Sequence, residues 1–278
     1  MQASTHEKRI GVILQSEYLL RLEKARQVAR SAGVLALDYY EKRDELAIDS
    51  KGLQDRVTQA DQEVERHIFH QITEAFHDDG FLGEEMASGE PVKLVEEGTW
   101  VVDPIDGTDC FIYGIPCWCI SIAWIQAGEA KIGVIYDPLH DEMYSATAGQ
   151  GAELNGKQLQ ISDATDLSDG ITGMGYSTRV EPIASIEALQ RLMEAGGMFN
   201  RCGSGALSLA WVAAGRLIGY YEPHINSWDC LAGIVLVREA GGWVNDFLAE
   251  DGLTRGNPII AAAPGMVRKI QMVSGYRF

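Results

Sequence analysis

The stretch Trp100-Val101-Val102-Asp103-Pro104-Ile105-Asp106-Gly107-Thr108 carries two carboxylates three positions apart, followed by a hydroxyl. The apolar run is expected to deliver Asp103 at the end of a strand, Pro104 to stop that strand, and Gly107 to let the chain turn tightly. Neighbouring carboxylates raise one another's pKa, so holding the two together is unfavourable unless a cation neutralises them. An ordinary Asp-Pro turn, with Asp106 capping backbone amides, explains the same residues without any chemistry. Two further motifs bear on the choice. Phe81-Leu82-Gly83-Glu84-Glu85 sets an acidic pair after an apolar segment, and Ser227-Trp228-Asp229 sets a carboxylate at the start of a helix. Taken singly, Glu84 and Glu85 read as solvated loop charges and Asp229 as a helix N-cap.

Taken together and in order, GEE, WVVDPIDGT and SWD followed by an apolar helix and Gly241-Gly242 resemble the signature set of the inositol monophosphatases and related lithium-sensitive phosphatases. The resemblance spans almost the whole chain. It implies an α/β fold of the sugar-phosphatase type, a layered sandwich alternating as αβαβα. It further implies that Glu84, Asp103, the carbonyl of Ile105, Asp106 and Asp229 coordinate two or three Mg²⁺ ions, with Asp103 bridging two. Hard oxygen donors of this kind suit Mg²⁺, which is commonly held by a few carboxylates together with substrate phosphate. By the same resemblance Glu85 and Thr108 position and help activate the attacking water, and Asp61 supports a third, weaker metal, with Lys51 at a comparable place upstream. Asp61 also reads as a helix cap, and Thr108 as a plain turn hydroxyl.

Exposed amides at Gly107 and Thr108 suit phosphate oxygens if a helix begins there. The leaving alcohol is expected against Gly203-Ser204-Gly205-Ala206, which opens a helix, and against Glu222, which ends the strand Tyr220-Tyr221-Glu222; both match places that contact the sugar or cyclitol in the family. A carboxylate at position 222 suits vicinal hydroxyls and would suit a protonated amine too. The plain alternatives are a surface charge for Glu222 and packing glycines for Gly203 and Gly205. The chain departs from the family after the catalytic turn, reading Asp109-Cys110-Phe111 where many members read Thr-Asn-Phe. The implied reaction is hydrolysis of inositol monophosphate, with histidinol phosphate, fructose 1,6-bisphosphate and 3′-phosphoadenosine 5′-phosphate as rival esters. The resemblance also implies lithium sensitivity and a homodimer. A rival of another class is a non-catalytic, metal-dependent binding protein. His67, His70 and His77 share one helix without H-E-x-x-H or an obvious third ligand, and read as ordinary helix histidines. Cys117 and Cys119 lack C-x-x-C spacing and read as core thiols.

The elements that must position these residues are legible from periodicity. Apolar residues at helical spacing mark a helix over 18–40, and a second is expected to start at Asp61 and run through Val64, Ile68, Ile72 and Phe76 to Gly80. Strands at 100–103, 117–125, 131–136 and 142–146 read as an antiparallel meander. Beyond Asn155-Gly156 the pattern becomes strands at 171–174, 217–221, 243–246 and 259–263 alternating with helices at 183–195, 204–214, 229–240 and the C-terminus. The expected organisation is an N-terminal half, 1–155, carrying most metal ligands, packed as one unit on a C-terminal half, 156–278.

The totals fit a packed globular protein: 278 residues, 46% hydrophobic and 23% charged. With 23 basic and 40 acidic side chains the net charge is −17, which disfavours broad attraction to nucleic-acid or membrane phosphates. A phosphorylated small molecule stays compatible if metal ions reverse the local field. Five cysteines and the start MQASTHEKRI, without an apolar signal core, point to a reducing cytoplasm. No apolar run approaches the roughly 20 residues of a membrane span.

Overall fold

The computed structural model describes residues 5–46, 48–52, 55–86 and 94–276; the side chains of 5–14, 48–52 and 55–57, including Lys51, lie outside the described part. The chain runs α1 (Thr5–Glu41), β1 (Ile48–Gly52), β2 (Asp55–Thr58), α2 (Gln59–Ala75), β3 (Gly80–Gly83) and β4 (Thr99–Asp106). It continues through α3 (Thr108–Ile112), β5 (Cys119–Gln126), β6 (Glu129–Asp137), β7 (Glu142–Thr147), β8 (Ala152–Leu154) and β9 (Lys157–Gln158). Then come β10 (Ile171–Met174), α4 (Pro182–Glu194), β11 (Met198–Asn200), α5 (Gly205–Ala213), β12 (Gly219–Ile225) and α6 (Ser227–Glu239). The chain closes with β13 (Trp243–Val244), α7 (Gly252–Arg255), β14 (Asn257–Ala262) and α8 (Val267–Ser274).

Strands β3 to β9 form one sheet in sequence order. The expected meander is there from β4 onward, each neighbour antiparallel, and β3 joins its edge in parallel with β4. The sheet extends past Gly156, because the β8–β9 hairpin straddles that residue. The second sheet has the order β11-β10-β12-β14-β13, with β10 parallel to both neighbours. Helices α1 and α2 cover one face of the first sheet through Ala25, Ala29, Val64, Ile68, Trp100 and Trp124. Helices α5 and α6 lie between the two sheets, sharing one core with Val101, Ile135, Tyr144, Tyr220 and Ile259. Helices α4 and α8 cover the far face of the second sheet through Leu192, Ile218, Ile260 and Ile270. The layers therefore alternate as αβαβα.

The middle helix α6 is apolar all round, as a helix buried on every side must be, and its residues 230–237 are all buried. Its close approach depends on glycine: a β-carbon at Gly133 would lie 2.3 Å from the Ala232 carbonyl oxygen. Among the described residues no helix is long and apolar enough to cross a membrane.

Two local expectations are corrected. Pro104 does not end its strand, since β4 continues to Asp106, with the pairing shifted between Asp103↔Ser121 and Asp106↔Cys119. A bulge tolerates a residue without an N–H, so Pro104 sits where no ladder bond is needed. Nor are Asp61 and Asp229 N-caps. The caps are Thr58 and Asn226, and each aspartate is the third helical residue, reaching back to its cap amide at 2.8 Å and 3.2 Å.

Candidate active site

In a regular strand Asp103 and Asp106 would face opposite sides of the sheet, because side chains alternate with period two. The bulge in β4 inserts the extra residue that turns both toward α6. Asp229, in the first turn of α6, completes a group in which one carboxylate oxygen from each of the three lies within 4.8 Å of the others. Among the described residues no other group of three His, Cys, Asp or Glu side chains comes together in this way.

Each carboxylate is held by its own local bonds. Asp103 Oδ1 accepts the Ile105 amide at 2.9 Å. Asp106 Oδ2 accepts the Ser204 hydroxyl at 2.5 Å and the Ala206 amide at 2.6 Å, so the start of α5 anchors the end of β4 across the seam between the halves. Asp229 Oδ2 accepts from the Asn226 backbone and side chain at 3.2 and 3.3 Å. Burial raises the pKa of all three, Asp103 well above the carboxylate range, Asp106 to about 7 and Asp229 to about 6. The charges of Glu84, Asp106 and Asp229 push Asp103 up further. Three such carboxyls, Asp103 and Asp106 buried and Asp229 half-buried, all hard oxygen donors, fit a divalent cation such as Mg²⁺.

Glu84 stands beside this group. Its amide donates to the Val102 carbonyl at 3.1 Å, extending the β3–β4 pairing by one residue, and its side chain lines a cleft with Asp109 and Asp229. The turn bearing Glu84 and Glu85 rests on a residue that motif reading passed over. Glu65, 1% exposed, accepts the amides of Glu85 and Met86, each at 2.8 Å. A β-carbon at Gly83 would lie 2.3 Å from Glu65 Oε2, which explains the glycine before the acidic pair. The signal was available: Glu65 is an acid on the buried stripe of α2, between Asp61 and Ile68.

Thr108 opens α3, with Gly107 as its cap at φ +101°. Its hydroxyl lies 3.2 Å from both Asp61 Oδ1 and the Ile105 carbonyl oxygen. Asp61 is fully buried, its other oxygen takes the Thr58 amide and hydroxyl, and burial raises its pKa to about 6. Thus Asp61, Thr108 and Ile105 form one connected patch.

The cleft has an inner compartment of about 150 Å³ lined by Asp106, Gly203, Ser204, Gly205, Glu222 and Asp229, and an outer one of about 460 Å³. Glu222 lies within β12 rather than at its end. It accepts a short bond from the Tyr220 hydroxyl, and burial pushes its pKa up to about 8. Ser204 gives its hydroxyl proton to Asp106 while capping α5 at the Leu207 amide. Gly203 and Gly205 are packed against neighbours, since β-carbons there would meet Cys110 Sγ at 2.6 Å and Ile225 Cδ1 at 2.5 Å.

The histidines singled out in the sequence do not line the cleft. His67 bonds Ser31 at 2.8 Å, and exposed His77 contacts Asp78. All five cysteines are free thiols; Cys119 is a core thiol as expected, whereas Cys117 precedes β5 and is half-buried.

Comparison with known proteins gives a consistent picture. A profile of the inositol monophosphatase family matches residues 20–272. Nus factor SuhB of Escherichia coli (strain K12) is 38% identical over 249 residues, 89% of this chain and 92% of the relative. Extragenic suppressor protein suhB from Bartonella henselae has a TM-score of 0.86 at 33% identity, covering 93% of this chain and 100% of that one. The inositol monophosphatase from Anabaena (Nostoc) sp. PCC 7120 has a TM-score of 0.79 at 31% identity, covering 92% and 95%.

Proposed function

Because this chain belongs to the inositol monophosphatase family, we propose that it is a Mg²⁺-dependent phosphomonoesterase that hydrolyses inositol monophosphates to inositol and phosphate. The carrying observation is the convergence of buried Asp103 and Asp106 with half-buried Asp229. Asp103, Asp106, Asp229, Glu84 and the Ile105 carbonyl would hold the ions. Bound there, Mg²⁺ supplies the positive charge that draws the phosphate in and makes water a better nucleophile. Thr108 orients that water, and its hydroxyl relays a proton to Asp61, whose carboxylate is the acceptor once the pH exceeds about 6. Glu85, fixed through its amide by Glu65, stands on the acidic turn beside this pair. Glu222 accepts hydrogen bonds from the hydroxyls of the leaving polyol, which suits a cyclitol.

A second reading has its own observation. Curated relatives are named Nus factor SuhB, a name that does not describe an ester hydrolase, and a protein of this fold could act by binding a partner. The intact set Glu84, Asp103, Asp106, Thr108 and Asp229 favours catalysis in this chain.

The test is Mg²⁺-dependent phosphate release compared between single-phosphate esters, inositol 1-phosphate against histidinol phosphate and glucose 6-phosphate. A kcat/KM highest for inositol 1-phosphate is expected. Preference for histidinol phosphate would replace the substrate and keep the metal chemistry; no release from any ester would favour the binding reading.

A further inference from the structure

The outer compartment of the cleft has a basic wall. The segment after β10 contributes Tyr176, Ser177, Thr178 and Arg179, and Arg201, just before α5, lines both compartments. The two arginines come from separate elements and flank the carboxylates Glu222 and Asp229. Arg179 is aimed by a short hydrogen bond to the Asn226 side chain, next to α6. Neither guanidinium has a carboxylate within 4.0 Å among the described residues, in a molecule of net charge −17 and in a cleft lined by acids. His224 also lines this wall; its Nε2 donates to the Arg255 carbonyl at 3.0 Å, and burial lowers its pKa, which favours the neutral ring.

The carboxylates Asp103, Asp106 and Asp229 have a use, since a divalent cation held there would be neutralised by them. Among the described residues the guanidiniums act on cleft carboxylates only at longer range, Arg179 on Asp229 and Arg201 on Glu222. A planar guanidinium is the group best matched to an oxyanion, with paired N–H donors and little hydration to lose. The outer compartment, about 460 Å³, falls within the range of pockets that enclose a substituted ring. We propose that Arg179 and Arg201 form a second phosphate subsite, which holds a phosphate on the polyol ring remote from the ester being cleaved, so that polyol bisphosphates bind more tightly than the corresponding monophosphates. This deepens the phosphatase reading and rests on it for the placement of the scissile ester.

The experiment compares kcat/KM for inositol 1-phosphate and inositol 1,4-bisphosphate at one fixed free Mg²⁺ concentration, in the unaltered protein and in Arg179→Gln, Arg201→Gln and the double variant. The bisphosphate is expected to show about a tenfold advantage, roughly the gain from one added charge-assisted pair, expressed mainly in KM. Each substitution should shrink the bisphosphate-to-monophosphate ratio, and the double variant should bring it near one. Because the readout is a ratio, a general loss of folded or active protein cancels from it. Equal kcat/KM for the two esters in the unaltered protein overturns the subsite, as does a ratio that survives the double substitution. Should neither ester be hydrolysed, the phosphatase reading fails separately. Calorimetric titration of the two compounds against the Mg²⁺-loaded protein then decides: a lower Kd for the bisphosphate supports the subsite, and equal values overturn it.

Discussion

Asp103, Asp106 and Asp229 are useful because of what holds them. Asp106 is fixed by Ser204 and Ala206, Asp229 by Asn226, and the Glu84–Glu85 turn by Glu65. Glu65 accepts the amides of Glu85 and Met86, which fix the course of the acidic turn. Removing a partner of this kind typically weakens metal affinity or activity by about 10 to 100-fold. Glu65→Gln replaces one acceptor oxygen with a donor facing an amide. The half-saturating Mg²⁺ concentration is therefore expected to rise by about tenfold, measured as phosphate release against Mg²⁺, with a smaller change in the rate at saturating Mg²⁺. A Mg²⁺ requirement unchanged by Glu65→Gln contradicts the positioning role.

At the scale of elements, most strands and helices were legible because their periodicity survives in the fold. The β4–β7 meander follows from short apolar runs broken by Gly and Pro, and α6 from an apolar run flanked by Asn226 and Gly241-Gly242. What periodicity does not encode is an interruption of pairing. Pro104 reads as a stop by its own chemistry, yet the neighbouring strand β5 absorbs it as a bulge, and that bulge is what turns Asp106 to the same side as Asp103. The caps were off by three residues for a related reason. An aspartate serves a helix start from either place, accepting a first-turn amide at the cap or the cap amide at the third helical position, and only the Thr58 and Asn226 conformations decide between them. The candidate metal residues were legible as motifs. Glu65 carried a signal as an acid on the buried stripe of α2, but the amides it holds and the Ser204–Asp106 bond were not legible, because they join segments 20 and 98 positions apart.

At the scale of the whole molecule, the site is a seam where both sheets and the middle helix layer meet, and its buried acids oppose folding when they are ionised. Asp61 and Asp229 have pKa values near 6 and Asp106 near 7, against 3.8 for an unperturbed aspartate. Between about pH 4 and 7 the native state therefore binds more protons than the unfolded chain, and the contribution of these groups to stability falls as pH rises through that window. His67 and His224, with lowered pKa values, pull the other way. The metal dependence isolates the carboxyls, because Mg²⁺ competes with their protons. Mg²⁺ is expected to raise Tm more at pH 8 than at pH 5, checked by thermal melts with and without the ion; a Tm gain independent of pH contradicts the assignment of the cation to this group. The central claim is tested most directly by Mg²⁺-dependent phosphate release from inositol 1-phosphate by Asp103→Asn beside the unaltered protein. Loss of several kcal/mol of metal-derived stabilisation predicts a rate lower by about 10³-fold or more, whereas turnover equal to that of the unaltered protein would contradict the account.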